Sequence, residues 1–275
     1  MVTGMNPLQR VEYELLRRTL DICDRLHIPC FLVCGSALGA VKYRGFIPWD
    51  DDVDVAMLRP DYQRFVEEAP AYLPPELFLQ TYRTDPAFPH IYAKLRDSRT
   101  TFIETSSAGL AINHGIYIDI FPLDGYPSGA LVRRVLEAGK WLYGRALACA
   151  FAPPVSRAGR MVWRAMRLCG CHRRTQRIAA RYERMISRYT PDGSAWLCNH
   201  GNWQGRLDYA RREQFGDGAP AVFEGLAVRI PAMYDQYLTQ KYGDWRADPP
   251  KDRRASHHGC TVCDTEKPYT YYRNR

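Results

Sequence analysis

The sequence has no apolar run long enough to cross a membrane. A transmembrane helix needs about 20 consecutive apolar residues, and the longest candidate, residues 146–155, is short and is broken by Pro153 and Pro154. The amino-terminal stretch also lacks the basic and then apolar pattern of a secretory signal. We therefore expect a protein that is not exported and is located in the cytoplasm or peripherally at the inner face of the membrane.

Internal repeats and low-complexity tracts are also absent. The chain has 275 residues, of which 46% are hydrophobic and 25% are charged. This composition is ordinary for a globular protein and excludes a collagen-like, fully disordered or simple repeat chain. The length suits one large domain or one domain with an appended subdomain.

Acidic residues are scarce in residues 130–190, which hold 14 Lys/Arg but only Glu137 and Glu183. The whole chain carries a formal charge of +8, so the basic character belongs to this one segment. Its arginines alternate with apolar residues at helical spacing, which favours contact with an anionic membrane surface. A plain solvated helical face is the main alternative, and binding of nucleic acid is not expected.

Nine cysteines are present, an odd number that does not indicate a disulfide framework. Several lie in apolar contexts, so free thiols in a reducing compartment are favoured. A structural zinc site remains the alternative, because Cys260 and Cys263 follow His257 and His258, and residues 169–172 hold two more cysteines and a histidine.

The pattern of apolar residues predicts an α+β fold: a small mixed sheet flanked by helices, with a helical basic segment appended. Strands are predicted at 30–34, 52–57, 90–96, 100–104 and 115–121, the last ended by Pro122; helices are predicted at 6–28, 37–42, 60–69 and 232–243, and through 130–190 with a break at 153–154. The predicted organisation is a catalytic core at 1–128, the basic segment at 129–190, a part packing on the core at 191–247 and a loosely ordered tail at 248–275.

The most informative stretch holds four aspartates within five residues, Asp50, Asp51, Asp52 and Asp54. Like charges this close repel unless a cation compensates them. Asp52 and Asp54 are two apart on a predicted strand, so both side chains project from one face and could hold Mg²⁺ or Mn²⁺. We expect Asp50 and Asp51 to support the loop or the metal ligands. A solvated acidic turn without a function is the alternative.

Three further features could complete such a site. Gly35 and Ser36 lie between a predicted strand and a helix, where backbone N–H groups and the hydroxyl can contact a phosphate. Asp119 lies within an apolar strand and offers a third carboxylate, either as a metal ligand or as the acceptor of a proton. Lys94 and Arg96 are candidates for binding substrate phosphate.

Two other polar residues near these strands suggest structural roles. His114 precedes the strand of Asp119 and is interpreted as a capping or core residue rather than an acid–base catalyst. Asp124 follows Pro122 in a predicted turn and is also interpreted as structural.

At these residues the sequence resembles the LicD family, which includes bacterial phosphocholine transferases and the fukutin-like proteins. The resemblance is carried by residues 35–41, 45–54, 94–97, 114–125, and Pro231 with 242–245. It implies a nucleotidyltransferase-like core in which Asp52 and Asp54 are paired metal ligands, Asp119 is the third carboxylate, and 35–36 contacts phosphate. Lys42-Tyr43-Arg44 departs from the Arg-His-Lys usual in the family, which keeps positive charge but loses the histidine.

The resemblance also implies transfer of a phospho-alcohol, typically phosphocholine, from a CDP-activated donor to a hydroxyl of a glycan, with a lipid-linked acceptor among the options. CDP-ribitol or CDP-glycerol are alternative donors. A rival enzyme class is the aspartyl-phosphate hydrolases, but their first Asp ends an apolar strand, and here Trp49-Asp50-Asp51 precedes Asp52. A basic membrane- or nucleic-acid-binding protein without catalysis is the non-enzymatic alternative.

Overall fold

The computed structural model describes residues 4–201, 209–250, 252, 254 and 259–273. Helices and strands alternate through this part of the chain, which confirms the predicted α+β class. The helices are α1 (Pro7–Leu26), α2 (Cys34–Lys42), α3 (Arg59–Glu68), α4 (Ala130–Ala148), α5 (Arg157–Leu168), α6 (Thr175–Ile186), α7 (Arg212–Phe215) and α8 (Tyr234–Tyr242). The strands are β1 (Phe31–Leu32), β2 (Asp54–Leu58), β3 (Leu77–Gln80), β4 (Ala93–Asp97), β5 (Thr101–Glu104), β6 (Ile116–Gly125), β7 (Trp196–Cys198), β8 (Tyr209–Arg211), β9 (Ala219–Phe223), β10 (Leu226–Ile230) and β11 (Cys260–Asp264).

The central sheet has the strand order β1-β2-β6-β4-β3, and β7 and β8 extend it from the end of β6. β2 and β6 are parallel, whereas β1–β2, β6–β4 and β4–β3 are antiparallel. All ten residues of β6 are buried, because this strand has neighbours on both edges and packing on both faces. β6 therefore provides the fixed reference for every side chain of the candidate site.

The first helix begins and ends where its sequence predicts. Asn6 and Gln9 form a capping box around Pro7 at the first helical position, which satisfies backbone N–H groups that would otherwise lack partners. Leu15 and the rest of the apolar face are buried against the core. His27 then takes a left-handed conformation that ends the helix.

Two of the wrong strand boundaries lie beside the aspartates. β2 begins at Asp54 rather than at residue 52, so Asp52 lies in the segment before the strand. Pro122 does not end β6, which continues to Gly125. A proline removes one N–H donor from a ladder, but Asp124 and Gly125 pair with β7 beyond it and so prolong the strand.

The basic segment folds as three helices, α4, α5 and α6, with the predicted break at 153–154. Leu136 and Leu147 of α4 and Tyr182 of α6 are buried in a small separate core. No helix in the described residues is long and apolar enough to span a membrane.

The region after the basic segment contacts the core in two places. The β9–β10 hairpin packs on β1 and α2, and α8 also packs on α2. In the tail, β11 pairs antiparallel with β5, so the prediction of loose order is wrong for Cys260–Asp264: the exposed edge of β5 offers backbone partners that a sequence pattern cannot reveal. The predicted domain boundaries stay a prediction.

Candidate active site

Three charged side chains form a row across three strands. Asp54, the first residue of β2, stands opposite Asp119 in β6, and Lys94 of β4 stands opposite Asp119 on its other side. The Asp119 N–H donates to the carbonyl of Val53 at 2.9 Å, which fixes the register of the two carboxylates. The predicted pairing of Asp54 with Asp119 in one site is therefore built into the sheet.

Lys94 is directed at Asp119 and away from solvent. Its Nζ lies 3.1 Å from Oδ1 of Asp119 and 3.3 Å from the centroid of the Tyr117 ring, and the residue is only 2% exposed. An ammonium held between a carboxylate and an aromatic face neutralises the carboxylate. The structure thus gives Lys94 a partner within the sheet, and its binding of substrate stays a prediction.

Arg96 is fully buried and is not among the residues that line the cavity described below. Its guanidinium donates to Oε1 of Gln80 and, at 2.6 Å, to the carbonyl of Gly115, and it stacks on Tyr117. Burial lowers the pKa of Arg96. These contacts tie β3 to the start of β6, so the geometry favours a supporting role over direct contact with a substrate.

The aspartates before β2 form a tight cluster. One carboxylate oxygen from each of Asp50, Asp51 and Asp52 lies within 4.8 Å of the others. Burial, followed by the charge of Asp52, raises the pKa of Asp50 to about 8. Such mutual repulsion is what a bound dication relieves, and an all-carboxylate donor set suits Mg²⁺ or Mn²⁺. The cluster therefore fits the predicted metal chemistry. Asp50 is itself a member of the cluster, whereas the sequence suggested only a supporting position for it.

The loop that carries these aspartates is held from two sides. Nε2 of Gln9 in α1 donates to the carbonyl of Asp50 at 3.2 Å, and Oε1 of Glu224 accepts from the Phe46 N–H at 3.2 Å. The Asp50 N–H also closes a turn onto the carbonyl of Ile47 at 3.0 Å. The acidic cluster is thus positioned by distant segments as well as by its own turn.

Glu12 lies close behind the acidic cluster, and sequence reasoning missed it. It is 1% exposed, and burial, followed by the charges of Asp52 and Asp51, raises its pKa well above the ordinary value. The helical periodicity of α1 does contain a signal for this residue. Glu12 falls on the same helical face as the buried Leu15 and Leu16, where a carboxyl is exceptional.

Gly35 and Ser36 have different surroundings. Gly35 lines the cavity that is described in the next paragraph. A side-chain carbon at this position would lie 2.7 Å from Oδ2 of Asp50, so only glycine leaves room for that carboxylate. Ser36 is buried, and its Oγ accepts from the Asp54 N–H at 2.8 Å. The hydroxyl therefore fixes the start of β2, and contact of either residue with phosphate stays a prediction.

A cavity of about 760 Å³ joins these groups, and we call it the acidic cavity. Six carboxylates line it, from Asp50, Asp52, Asp54, Asp119, Asp244 and Asp248. Its walls add aromatic rings and two lysines: Tyr43, Trp49, Tyr92, Phe121, Tyr242 and Trp245, with Lys42, Lys241 and His90. The size falls in the range of about 300–1,000 Å³ typical of small-molecule sites.

Most of these wall residues were missed by sequence reasoning, because they come from segments far apart in the chain. The predicted helix at 232–243 is present as α8, and it carries Lys241 and Tyr242 into the wall of the acidic cavity. The hydroxyl of Tyr237 in α8 also accepts from the Cys34 N–H at 3.1 Å. The carboxyl-terminal part thus completes a site that the motifs only begin.

One corner of the acidic cavity is positively charged and holds Asp248. Oδ1 of Asp248 lies 2.5 Å from Nζ of Lys42 and accepts from the Tyr43 hydroxyl at 2.5 Å. Arg254 lies 3.4 Å from the other carboxylate oxygen, and its guanidinium stands 4.9 Å from the ring centroid of Trp49. The departure at 42–44 from the family pattern therefore keeps a cation at the cavity wall.

The two remaining predictions concern histidines and thiols. His114 is buried, its Nε2 lies 3.0 Å from the carbonyl of Leu110, and burial lowers its pKa, which confirms the core interpretation. All nine cysteines lie in the described residues and are free thiols. Among the described residues, Asp50, Asp51 and Asp52 are the only group of potential ligands whose spacing suits a metal ion. His257 and His258 lie outside the described residues, so the zinc alternative stays a prediction.

Comparison with known proteins agrees with this geometry. Residues 27–133 match the family model described as the nucleotidyltransferase domain of LicD/FKTN/FKRP. Residues 27–133 of this chain are thus similar to the LicD-family nucleotidyltransferase domain. The matched range contains Asp52, Asp54, Lys94 and Asp119, and so covers the whole charged row of the sheet.

A relative matches over most of the chain. The lipopolysaccharide cholinephosphotransferase LicD of Haemophilus influenzae is 26% identical over 246 residues, covering 86% of this chain and 89% of the relative. An uncharacterized protein of Rickettsia typhi is 32% identical over 60 residues, and one of Rickettsia prowazekii is 35% identical over 49 residues; each match covers about a fifth of either chain. The likeness to the first protein therefore extends beyond the residues 27–133 that match the family model.

Proposed function

We propose that this protein is a Mg²⁺- or Mn²⁺-dependent phosphotransferase of the LicD family. It moves a phospho-alcohol, phosphocholine first among the candidates, from a CDP-activated donor to a hydroxyl of a cell-surface glycan. The observation that carries the proposal is the acidic cavity, in which four carboxylates from the loop, β2 and β6 converge. The name of the Haemophilus influenzae relative, a lipopolysaccharide cholinephosphotransferase, supports the choice of group and acceptor.

In this reaction the acceptor oxygen forms a bond to the phosphorus that bears the alcohol. The bond from that phosphorus to the bridging oxygen breaks, and CMP leaves with the electron pair. Asp52, Asp54 and Asp119 would hold the dication: all three line the acidic cavity, and Asp52 also belongs to the close cluster with Asp50 and Asp51. When bound, such an ion neutralises charge on the diphosphate as the bond breaks.

The chain's own groups supply orientation and proton transfer. Lys94 holds the Asp119 carboxylate in the row through its contact at 3.1 Å. Asp119 remains the candidate to accept the hydroxyl proton if it is not a metal ligand, since the proton can leave late in a loose transition state. Lys42 and Lys241 line the same cavity and offer positive charge to the donor phosphates.

The aromatic walls favour choline over an uncharged alcohol. A quaternary ammonium is recognised by aromatic faces because their quadrupoles attract cations. Tyr43, Trp49, Tyr242 and Trp245 line the acidic cavity, and the face of Trp49 already carries a guanidinium at 4.9 Å. Ribitol and glycerol present hydroxyls and would gain little from these rings.

The decisive assay measures CMP release from CDP-choline, CDP-ribitol and CDP-glycerol with a glycan acceptor, with Mg²⁺ or Mn²⁺ and again with EDTA. We expect release from CDP-choline that EDTA abolishes. Asp52→Asn and Asp54→Asn should each lose nearly all activity, whereas Asp21→Asn, a partly exposed carboxylate of α1, should keep it. Full activity in either cavity variant would reject the assignment, and a trapped phosphoryl-enzyme would favour the hydrolase alternative.

A further inference from the structure

Exposed apolar side chains are concentrated in one part of the molecule. Among the described residues, thirteen large hydrophobic residues are exposed, and eight of them lie between 131 and 168. These eight are Leu131, Val132, Val135, Trp141, Leu142, Val155, Met161 and Leu168. Scattered exposed apolar residues need no explanation, but a concentration of this kind marks an interaction surface.

On α4 the exposed residues form a stripe. Leu131, Val135 and Leu142 are separated by four and seven residues, so they share one helical face, and they are 74%, 64% and 50% exposed. The opposite face carries Leu136 and Leu147, which are buried against α6. The helix is therefore apolar on two faces, and only one of them has a partner within the described residues.

Helix α5 packs on α4 and also exposes apolar residues. None of its residues is buried, and Met161 and Leu168 are 72% and 89% exposed. The helix is attached on its inner side, where Nε1 of Trp163 donates to the carbonyl of Phe151 and the Arg167 guanidinium donates to the carbonyl of Cys149, both at 3.1 Å. The exposed apolar residues thus lie on a helix whose orientation is fixed.

Positive charge lies beside these apolar residues, and part of it has no ion-pair partner among the residues that the structure describes. Four arginines of α4 and α5 make no ion pair in the part of the chain that the structure describes: Arg134, Arg145, Arg157 and Arg164. The two acids of the segment are engaged elsewhere. Glu183 pairs with Arg59 and Arg83, and Glu137 pairs with Lys140.

We propose that this surface docks onto an anionic lipid bilayer. We call it the basic apolar face: Leu131, Val135, Leu142, Met161 and Leu168, with Arg134, Arg145, Arg157 and Arg164. Apolar side chains enter the headgroup region while arginines contact lipid phosphates, the arrangement of interfacial helices. Nucleic acid would match the charge but leave the leucines exposed. This inference goes beyond the proposed function and does not depend on it.

The link between α4 and α5 lies beside the acidic cavity. Phe151 is part of this link, and its ring centroid lies 5.3 Å from that of His90, which lines the cavity. The next residue, Ala152, donates its N–H to the carbonyl of Ser106 at 3.1 Å. Docking would therefore hold the cavity near the lipid surface, where an acceptor glycan carried on a lipid would be found.

The charge arm of the test measures co-sedimentation of the full chain with vesicles of equal parts phosphatidylglycerol and phosphatidylcholine. We expect binding that is lost with pure phosphatidylcholine and at high salt. Arg157→Gln/Arg164→Gln should lower the partition coefficient roughly 25-fold, since each charge near an anionic surface contributes about fivefold. The control Arg17→Gln/Arg25→Gln removes two arginines of α1 and should change it much less.

The apolar arm uses Leu131→Gln/Leu142→Gln, with Tyr72→Gln as the exposed control outside the face. The leucine variant should bind at least tenfold more weakly while keeping the wild-type Tm. Equal binding of wild type, Arg157→Gln/Arg164→Gln and Leu131→Gln/Leu142→Gln would overturn the proposal. So would a stable dimer in light scattering that the leucine variant abolishes, or tight binding to duplex DNA in place of vesicles.

Discussion

The buried Arg59 at the start of α3 forms ion pairs that link the core to helix α6 of the basic segment. Arg59 is 3% exposed and donates to both oxygens of Asp124, at 2.7 and 2.6 Å. Its remaining nitrogen donates to Oε1 of Glu183 in α6 at 3.1 Å. We predict that Asp124→Asn, which keeps the shape of the side chain, strongly lowers the free energy of unfolding.

The magnitude follows from burial rather than from distance. Removing one partner of a buried ion pair costs about 3–5 kcal/mol, and Asp124→Asn leaves the Arg59 guanidinium with the single ion pair to Glu183 at 3.1 Å among the described residues. For a protein of this size each kcal/mol lowers Tm by roughly 2–4 °C, so a fall of about 6–20 °C is expected. The matched control is Glu14→Gln on α1, whose pair with Arg17 is also 2.6 Å long but is exposed. That change should cost less than about 1 kcal/mol.

Urea unfolding followed by circular dichroism, with calorimetry for Tm, measures both variants. A second comparison uses the double variant Arg59→Met/Asp124→Leu. Because both charges leave together, it should be more stable than Asp124→Asn. The reasoning would be refuted if Asp124→Asn and Glu14→Gln cost the same, since burial would then not govern the strength of these pairs.

Three further outcomes are expected. Lys94→Met leaves Asp119 without its ammonium, so it should lower stability by about 3 kcal/mol or more and make Mg²⁺ raise Tm further than in wild type, by calorimetry. Burial would raise the pKa of Glu104, but the charges of Lys94 and Arg96 lower it to about 2. The ionised Glu104 therefore stabilises the folded protein above pH 4, and this contribution, up to about 3 kcal/mol, is lost as the pH falls from about 4 towards 2. Glu104→Gln should remove this loss in acid-unfolding curves. Asp248→Asn frees Lys42 for donor phosphates and should lower the donor KM several-fold in the CMP assay.

The local sequence pattern was sufficient to predict a helix or strand where one buried face sets the spacing of its apolar residues. The long amphipathic α1 and the break at 153–154 follow from the spacing of apolar residues and prolines. The convergence of Asp54 and Asp119 was expected because both sit where a charge interrupts an apolar strand. Their adjacency itself depends on the parallel pairing of β2 with β6, which no local pattern contains.

Long-range contacts explain what the sequence could not reveal. The sequence suggests a basic residue beside a strand at Arg96, yet the side chain is buried and donates to Gln80 and Gly115. Asp248 and Lys241 reach the acidic cavity from the far end of the chain. Such positions depend on which segments the sheet order brings together, and a charged residue carries no mark of whether its partner is solvent or another strand.

The charges and the backbone hydrogen bonds of the acidic cavity indicate what holds its carboxylates in place. Carboxylates of the loop, β2 and β6 converge there, where Lys94 compensates Asp119, and burial, followed by the charge of Asp52, raises the pKa of Asp50. Backbone bonds then fix the geometry: the Val33 N–H donates to the carbonyl of Asp54 at 3.1 Å, and the Asp119 N–H donates to that of Val53. Because these bonds need no cation, the site is formed by the sheet. Under the proposed function, a dication would therefore serve the chemistry and not the pairing of β2 with β6.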